Sequence, residues 1–130
     1  MMNNRLKQGL VLLGWIAIVF LMSSSAANAG ALRQIEGLYY PWGERGWSCS
    51  AHEIGSMKGA LAIFGRTIHG VENDCRIIGV SRRRAWFRLR LRCAGEGGTY
   101  TDTLHVRPIR NGLAFKSSEG YRYKWRRCYR

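Results

Sequence analysis

The run from Cys75 to Cys93, CRIIGVSRRRAWFRLRLRC, limits what this chain can fold into more than any other stretch. In its second half Phe87, Leu89, Leu91 and Cys93 alternate with Trp86, Arg88, Arg90 and Arg92. Successive side chains of a strand point to opposite faces. This period of two therefore puts the apolar set on one face and three arginines on the other. The first half supplies a partner strand, joined through a basic turn. Setting Cys75 opposite Cys93 places Ile77 against Leu91, Gly79 against Leu89 and Ser81 against Phe87. It leaves Arg83, Arg84 and Ala85 as a short hairpin loop. The two cysteines then face each other, close enough for a disulfide where the pair is of the non-hydrogen-bonded kind.

The same alternation and turn chemistry continue on both sides. Leu38-Tyr39-Tyr40 begins a strand that Pro41 limits. Trp47 and Cys49 alternate with Ser48 and Ser50, which allows them a shared buried face, and Ala51 to Gly59 reads as a loop. Ala60 to Phe64 is a short apolar strand, Gly65-Arg66 a turn, and Thr67 to Val71 the next strand. Beyond the hairpin, Gly95, Gly97 and Gly98 interrupt the pattern. Thr99 to Pro108 then alternates Tyr100, Asp102, Leu104 and Val106 with Thr99, Thr101, Thr103 and His105. Asn111-Gly112 is the pair favoured in a type I′ turn. Leu113 to Phe115 follows, then a Glu119-Gly120 turn and a closing strand from Tyr121 to Cys128. Roughly seven short strands, with no helical period after the N-terminal stretch, predict an all-β domain. It is an antiparallel meander forming a small barrel or sandwich.

The N-terminal stretch has a different character. Arg5 and Lys7 precede a run of apolar or small residues from Gly9 to Met22, and SSSAANA follows. That order is a signal peptide spanning 1–29, cleaved after Ala29. It predicts a periplasmic or secreted domain over 30–130, with Gly30 to Gln34 as a mobile leader. Setting Arg5 and Lys7 aside, 19 of the 21 cationic residues face 8 acids in that domain, a balance of +11. So basic a surface attracts polyanions. A domain this small is marginal on its core alone. All four cysteines lie in it, and an oxidising compartment lets them staple it. The hairpin register selects Cys75–Cys93, which leaves Cys49–Cys128 to tie an early strand to the last one. The rival pairing is Cys49–Cys75 with Cys93–Cys128.

Four short motifs stand in order along this domain: Trp47-x-Cys49, Glu72-x-x-Cys75-x-Ile77, Cys93-x-Gly95-Glu96-Gly97 and Arg127-Cys128. Together they resemble small exported, disulfide-containing alphaproteobacterial proteins of uncharacterised function. The resemblance implies a periplasmic, disulfide-tied β domain and no particular activity.

Three sets of residues carry candidate chemistry. The first is Arg76, Arg82, Arg83, Arg84, Arg88, Arg90 and Arg92. In the register above Arg76 opposes Arg92, and like charges directly opposite are destabilising, so an anion or a carboxylate should offset them. Arginine holds phosphate or carboxylate through a bidentate fork; the competing reading is a solvated outer face. The second is the tail YRYKWRRCYR, in which Tyr121, Tyr123 and Trp125 alternate with Arg122, Lys124 and Arg126. That is the composition of a stacking platform, and also of a strand with an aromatic core face. The third is Glu72 and Glu96, which the hairpin register sets opposite each other as a carboxylate pair. His52, His69 and His105 lack ligand-like spacing, and no metal or other cofactor is implied. The leading expectation is an exported, non-enzymatic binding module for an anionic polymer or membrane surface, with acidic polysaccharide, lipid headgroups or extracellular nucleic acid as partners. The alternative is a protein-binding envelope factor, an inhibitor or assembly partner, using a loop such as Ala51 to Gly59. A small hydrolase using the paired glutamates is the third reading.

Overall fold

A computed structural model describes residues 29–129. The signal peptide expected over the first 29 residues lies outside these, except for its last position. Eight strands run in chain order: β1 Gly37–Pro41, β2 Leu61–Phe64, β3 Thr67–His69, β4 Asp74–Arg83, β5 Trp86–Gly95, β6 Gly98–Ile109, β7 Gly112–Ser117 and β8 Arg122–Arg127. Each pairs antiparallel with the next, and β1 pairs with β8, so the meander closes into a barrel. Closure gives every strand two neighbours, although Gly79–Arg83 of β4 and Gly98–Thr103 of β6 pair with β5 alone.

The buried inward set is apolar. Tyr39, Ile63, Ile77, Leu89, Val106, Leu113 and Phe115 are fully buried, and Phe87, Leu91 and Cys93 join them from β5. Tyr123 stacks on Phe115 at 4.9 Å between ring centres and Trp125 lies tilted at 4.7 Å. The tail is therefore a strand whose aromatics face the core, Trp125 half-buried and Tyr123 still 42% exposed, with its cations outside. Tyr121 precedes β8 and is exposed.

Residues 29–35 are helical rather than a mobile leader. Ala31, Leu32 and Ile35 belong to the buried cluster, and the Tyr39 hydroxyl donates to the Ile35 carbonyl at 2.6 Å. An apolar i, i+1, i+4 pattern lets one face of a short helix pack on the barrel. The sequence window was too short to show it as a period.

Cys75 and Cys93 face each other across β4 and β5 and are joined, with Cα atoms 3.9 Å apart. Cys49 joins Cys128. Cys49, however, sits exposed in the long loop between β1 and β2, not in a strand. Trp47 turns to the core while Cys49 does not, so the two share no buried face.

The hairpin register departs from expectation at one residue. Cys75↔Cys93, Arg76↔Arg92 and Ile77↔Leu91 pair, but a bulge follows and Gly79 meets Arg90 instead of Leu89. Ile78 is the extra residue, 44% exposed. The Arg66 guanidinium donates to the Ile77 carbonyl at 3.3 Å from both Nε and Nη2, so the interrupted ladder keeps a partner there. Beyond the bulge Val80 meets Leu89 and Arg83 meets Trp86, leaving a two-residue turn at Arg84-Ala85 with Arg84 at φ 56°. The β6–β7 turn also shifts by one. Its central residues are Arg110 and Asn111, with Asn111 at φ 65°. Gly112 opens β7 instead, where a Cβ would run into the Trp125 carbonyl.

Candidate functional site

The pleat sorts β5 to β8 into an inner face that is apolar apart from Asp102, exposed opposite Leu91, and a cationic outer one. Outward positions on β5 are Trp86, Arg88, Arg90 and Arg92, and on β6 His105 and Arg107. β7 presents Lys116, and β8 presents Arg122, Lys124 and Arg126. No aspartate or glutamate occupies an outward position on these four strands. Among the described residues the one contact of a basic side chain with a carboxylate is His69 Nδ1–Asp74 at 2.9 Å, on β3 and β4. Among the described residues, these cations thus have no carboxylate within ion-pair distance.

The expected arginines divide in consequence of the bulge. Arg88, Arg90 and Arg92 are exposed and share the outer face, and Arg76 opposes Arg92 there. Arg83 also faces out, beside Trp86, and Arg84 occupies the turn. Arg82 does not belong with them. Its pairing with Phe87 puts it on the inner face at the barrel mouth, 5.3 Å over the Phe87 ring, and its Nε donates to the Arg84 carbonyl at 3.2 Å.

Residues outside the expected set complete the surface. Register aligns Arg88, His105, Lys116 and Arg122 across four strands. A groove of about 590 Å³ opens beside them, lined by Arg83, Arg84, Trp86, His105 and Lys116. Arg107 lies 4.8 Å and Lys116 5.5 Å from the Trp86 ring centre. A second cluster repeats the pattern: Lys124 and Arg126 lie 4.8 and 5.3 Å from the Trp42 ring. Trp42 is held there by its backbone N–H, which donates to the Lys124 carbonyl at 3.0 Å. Cations over indole faces are attracted by the ring quadrupole, which restrains long side chains otherwise free in water.

His105 lies within this field. Burial of its ring, then the charges of Lys116, Arg88 and Arg83, hold its pKa below the ordinary value for histidine. Its Nδ1 is buried and has no hydrogen-bond partner.

The carboxylate pair does not form. β4 begins only at Asp74, and Glu72 lies outside the ladder in a left-handed conformation, φ 55°. Its N–H donates to Gly55, and it lines a shallow groove with His69 and Asp74. Glu96 stands in the β5–β6 turn and does not line that groove. Among the described residues no three histidine, cysteine or acidic side chains gather as metal ligands. Comparison with protein families, with characterised proteins and with solved structures finds no match. The functional reading therefore rests on the geometry.

The sequence alone held a signal for part of what was missed. His105 and Arg107 alternate with Leu104 and Val106, and Lys124 and Arg126 with Trp125. Their convergence with Trp86 and Trp42 required the closed strand order.

Proposed function

We propose that this barrel is an exported, non-enzymatic module that binds an anionic polymer through the outer face of β4 to β8. The observation that carries the reading is the outer face itself: eight arginines and lysines on four consecutive strands (Arg88, Arg90, Arg92, Arg107, Lys116, Arg122, Lys124, Arg126) without an acidic neighbour on that face. Cross-strand like charges weaken a sheet unless something offsets them. A bound polyanion would supply that offset and release its counterions on binding. The two disulfides suit an oxidising compartment, and a periplasmic or secreted location follows from the same reading.

The test is retention on immobilised heparin. Wild-type protein should elute only at elevated salt, with log affinity falling linearly in log salt. Replacing Arg88, Arg90 and Arg92 together by serine should lower the eluting salt while the far-ultraviolet circular dichroism stays unchanged. A wild-type protein that passes through the column at low salt would sink the reading.

A further inference from the structure

The direction in which a polymer would lie is fixed by more than the arginines of β5. Arg88, Arg90 and Arg92 run along one strand, toward the Cys93 end. The indole-anchored cations run across the strands instead. Trp86 on β5 carries Arg107 of β6 and Lys116 of β7, and Trp42 carries Lys124 and Arg126 of β8. Arg107, Ala114 and Lys124 are consecutive partners in the register, so the two clusters adjoin over Ala114. Ala114 faces outward, yet only 8% of it is exposed. Strands lie about 4.8 Å apart, so the path from β5 to β8 spans roughly 14 Å. Two aromatic anchors along it hold four cations in defined places, which lowers the entropy lost on binding.

We infer that an acidic polysaccharide crosses the barrel along this transverse belt, from Trp86 to Trp42, rather than following β5. The inference rests on the anion-binding reading above and specifies its path and its ligand class. The choice of polysaccharide over single-stranded nucleic acid comes from the indoles. Nucleic-acid platforms need open aromatic faces for bases to stack upon. Here both rings hold cations at 4.8–5.5 Å, so what they present is charge. Sulfate or carboxylate groups repeating along a sugar chain match a row of charges with no demand for stacking.

Two measurements on the disulfide-bonded protein test this. In the first, surface lysines are acetylated with and without saturating heparin and read by mass spectrometry. Lys116 and Lys124 should be protected at least fivefold, and Lys58, in the β1–β2 loop, should not. Equal labelling of Lys116 and Lys124 with and without heparin overturns the belt. In the second, Lys116→Ser with Lys124→Ser is compared with Arg90→Ser with Arg92→Ser for the salt dependence of heparin binding. The lysine pair should reduce the slope of log K against log salt by about two, since each lost contact removes roughly one released ion. A slope that falls only in the arginine pair overturns the transverse path and leaves anion binding standing. A wild-type protein with no heparin affinity removes both. Tighter binding of an oligo-dT strand than of heparin at equal salt overturns the polysaccharide assignment.

Discussion

His105 is a titrating group held among fixed positive charges. Lys116 from β7, Arg88 from β5 and Arg83 from β4 face it, with Arg107 next but one on its own strand. Its pKa in the fold lies below that of the unfolded chain, near 6.5. As pH falls through 6.5 the unfolded chain takes up the proton first. The contribution to stability is present above 6.5 and is lost as pH drops toward the folded value. The urea midpoint should therefore fall between pH 7.5 and 5.5, and His105→Gln should flatten part of that fall. A bound polyanion neutralises the surrounding cations and makes the proton easier to take up. Heparin should then hold the wild type to higher salt at pH 5.5 than at 7.5, by a larger margin than it does His105→Gln. Gly37 is a second position where one atom matters. At φ 152° it leaves room for the Arg127 guanidinium, which donates to the Glu36 carbonyl at 2.8 Å and lies 5.0 Å over the Tyr39 ring. A Cβ there would stand 2.5 Å from Arg127 Nη1. Gly37→Ala is expected to cost about 1–3 kcal/mol in urea unfolding, the scale of a strained backbone position.

At the scale of the element, the β4–β5 hairpin shows how far alternation reaches. Arg88, Arg90 and Arg92 separate from Leu89, Leu91 and Cys93 in sequence and in space alike, and the cysteines pair as their register requires. What alternation does not encode is the bulge. One additional residue at Ile78 costs nothing in composition, and its compensation, Arg66 on the Ile77 carbonyl, comes from a turn eleven residues away. From that residue onward every assignment of β4 slips by one, which is why Arg82 turns inward. The glutamate pair fails for a related reason: the ladder ends at Asp74 and Ala94, with Glu72 in a left-handed conformation ahead of β4 and Glu96 in the turn after β5. The disulfides are open to measurement at this scale. The bridge between Cys75 and Cys93 closes a separation of 18 residues and that between Cys49 and Cys128 one of 79. Loop entropy assigns them about 3 and 4–5 kcal/mol. Replacing either pair by alanine should lower the melting temperature by more than 10 °C, at roughly 4–8 °C per kcal/mol for a domain of this size.

For the whole molecule, closure depends on segments whose role the sequence does not announce. The helical residues 29–35 contribute Leu32 and Ile35, 6% and 1% exposed, to the barrel core. Truncating a buried leucine or isoleucine costs about 2–5 kcal/mol. Leu32→Ala with Ile35→Ala should therefore destabilise the barrel strongly and raise the fluorescence of an apolar dye at mild urea. No change in the urea midpoint would mean that the helical turn is peripheral.

The ring of strands has a single seam. Seven of its eight pairings join neighbours in sequence, and only β1 with β8 brings together distant parts of the chain. A local hairpin reforms in microseconds, whereas a contact across nearly the whole chain must wait for a long loop to close. The seam should be the last pairing made and the first lost. The Cys49–Cys128 bridge spans this place, with the Cys128 N–H donating to Leu38 at 2.9 Å. It should therefore act as a kinetic latch on the ring. With the bridge intact, the amides of β1 and β8 should exchange with deuterium as slowly as those of β5. Once it is removed, they should exchange ahead of every other strand.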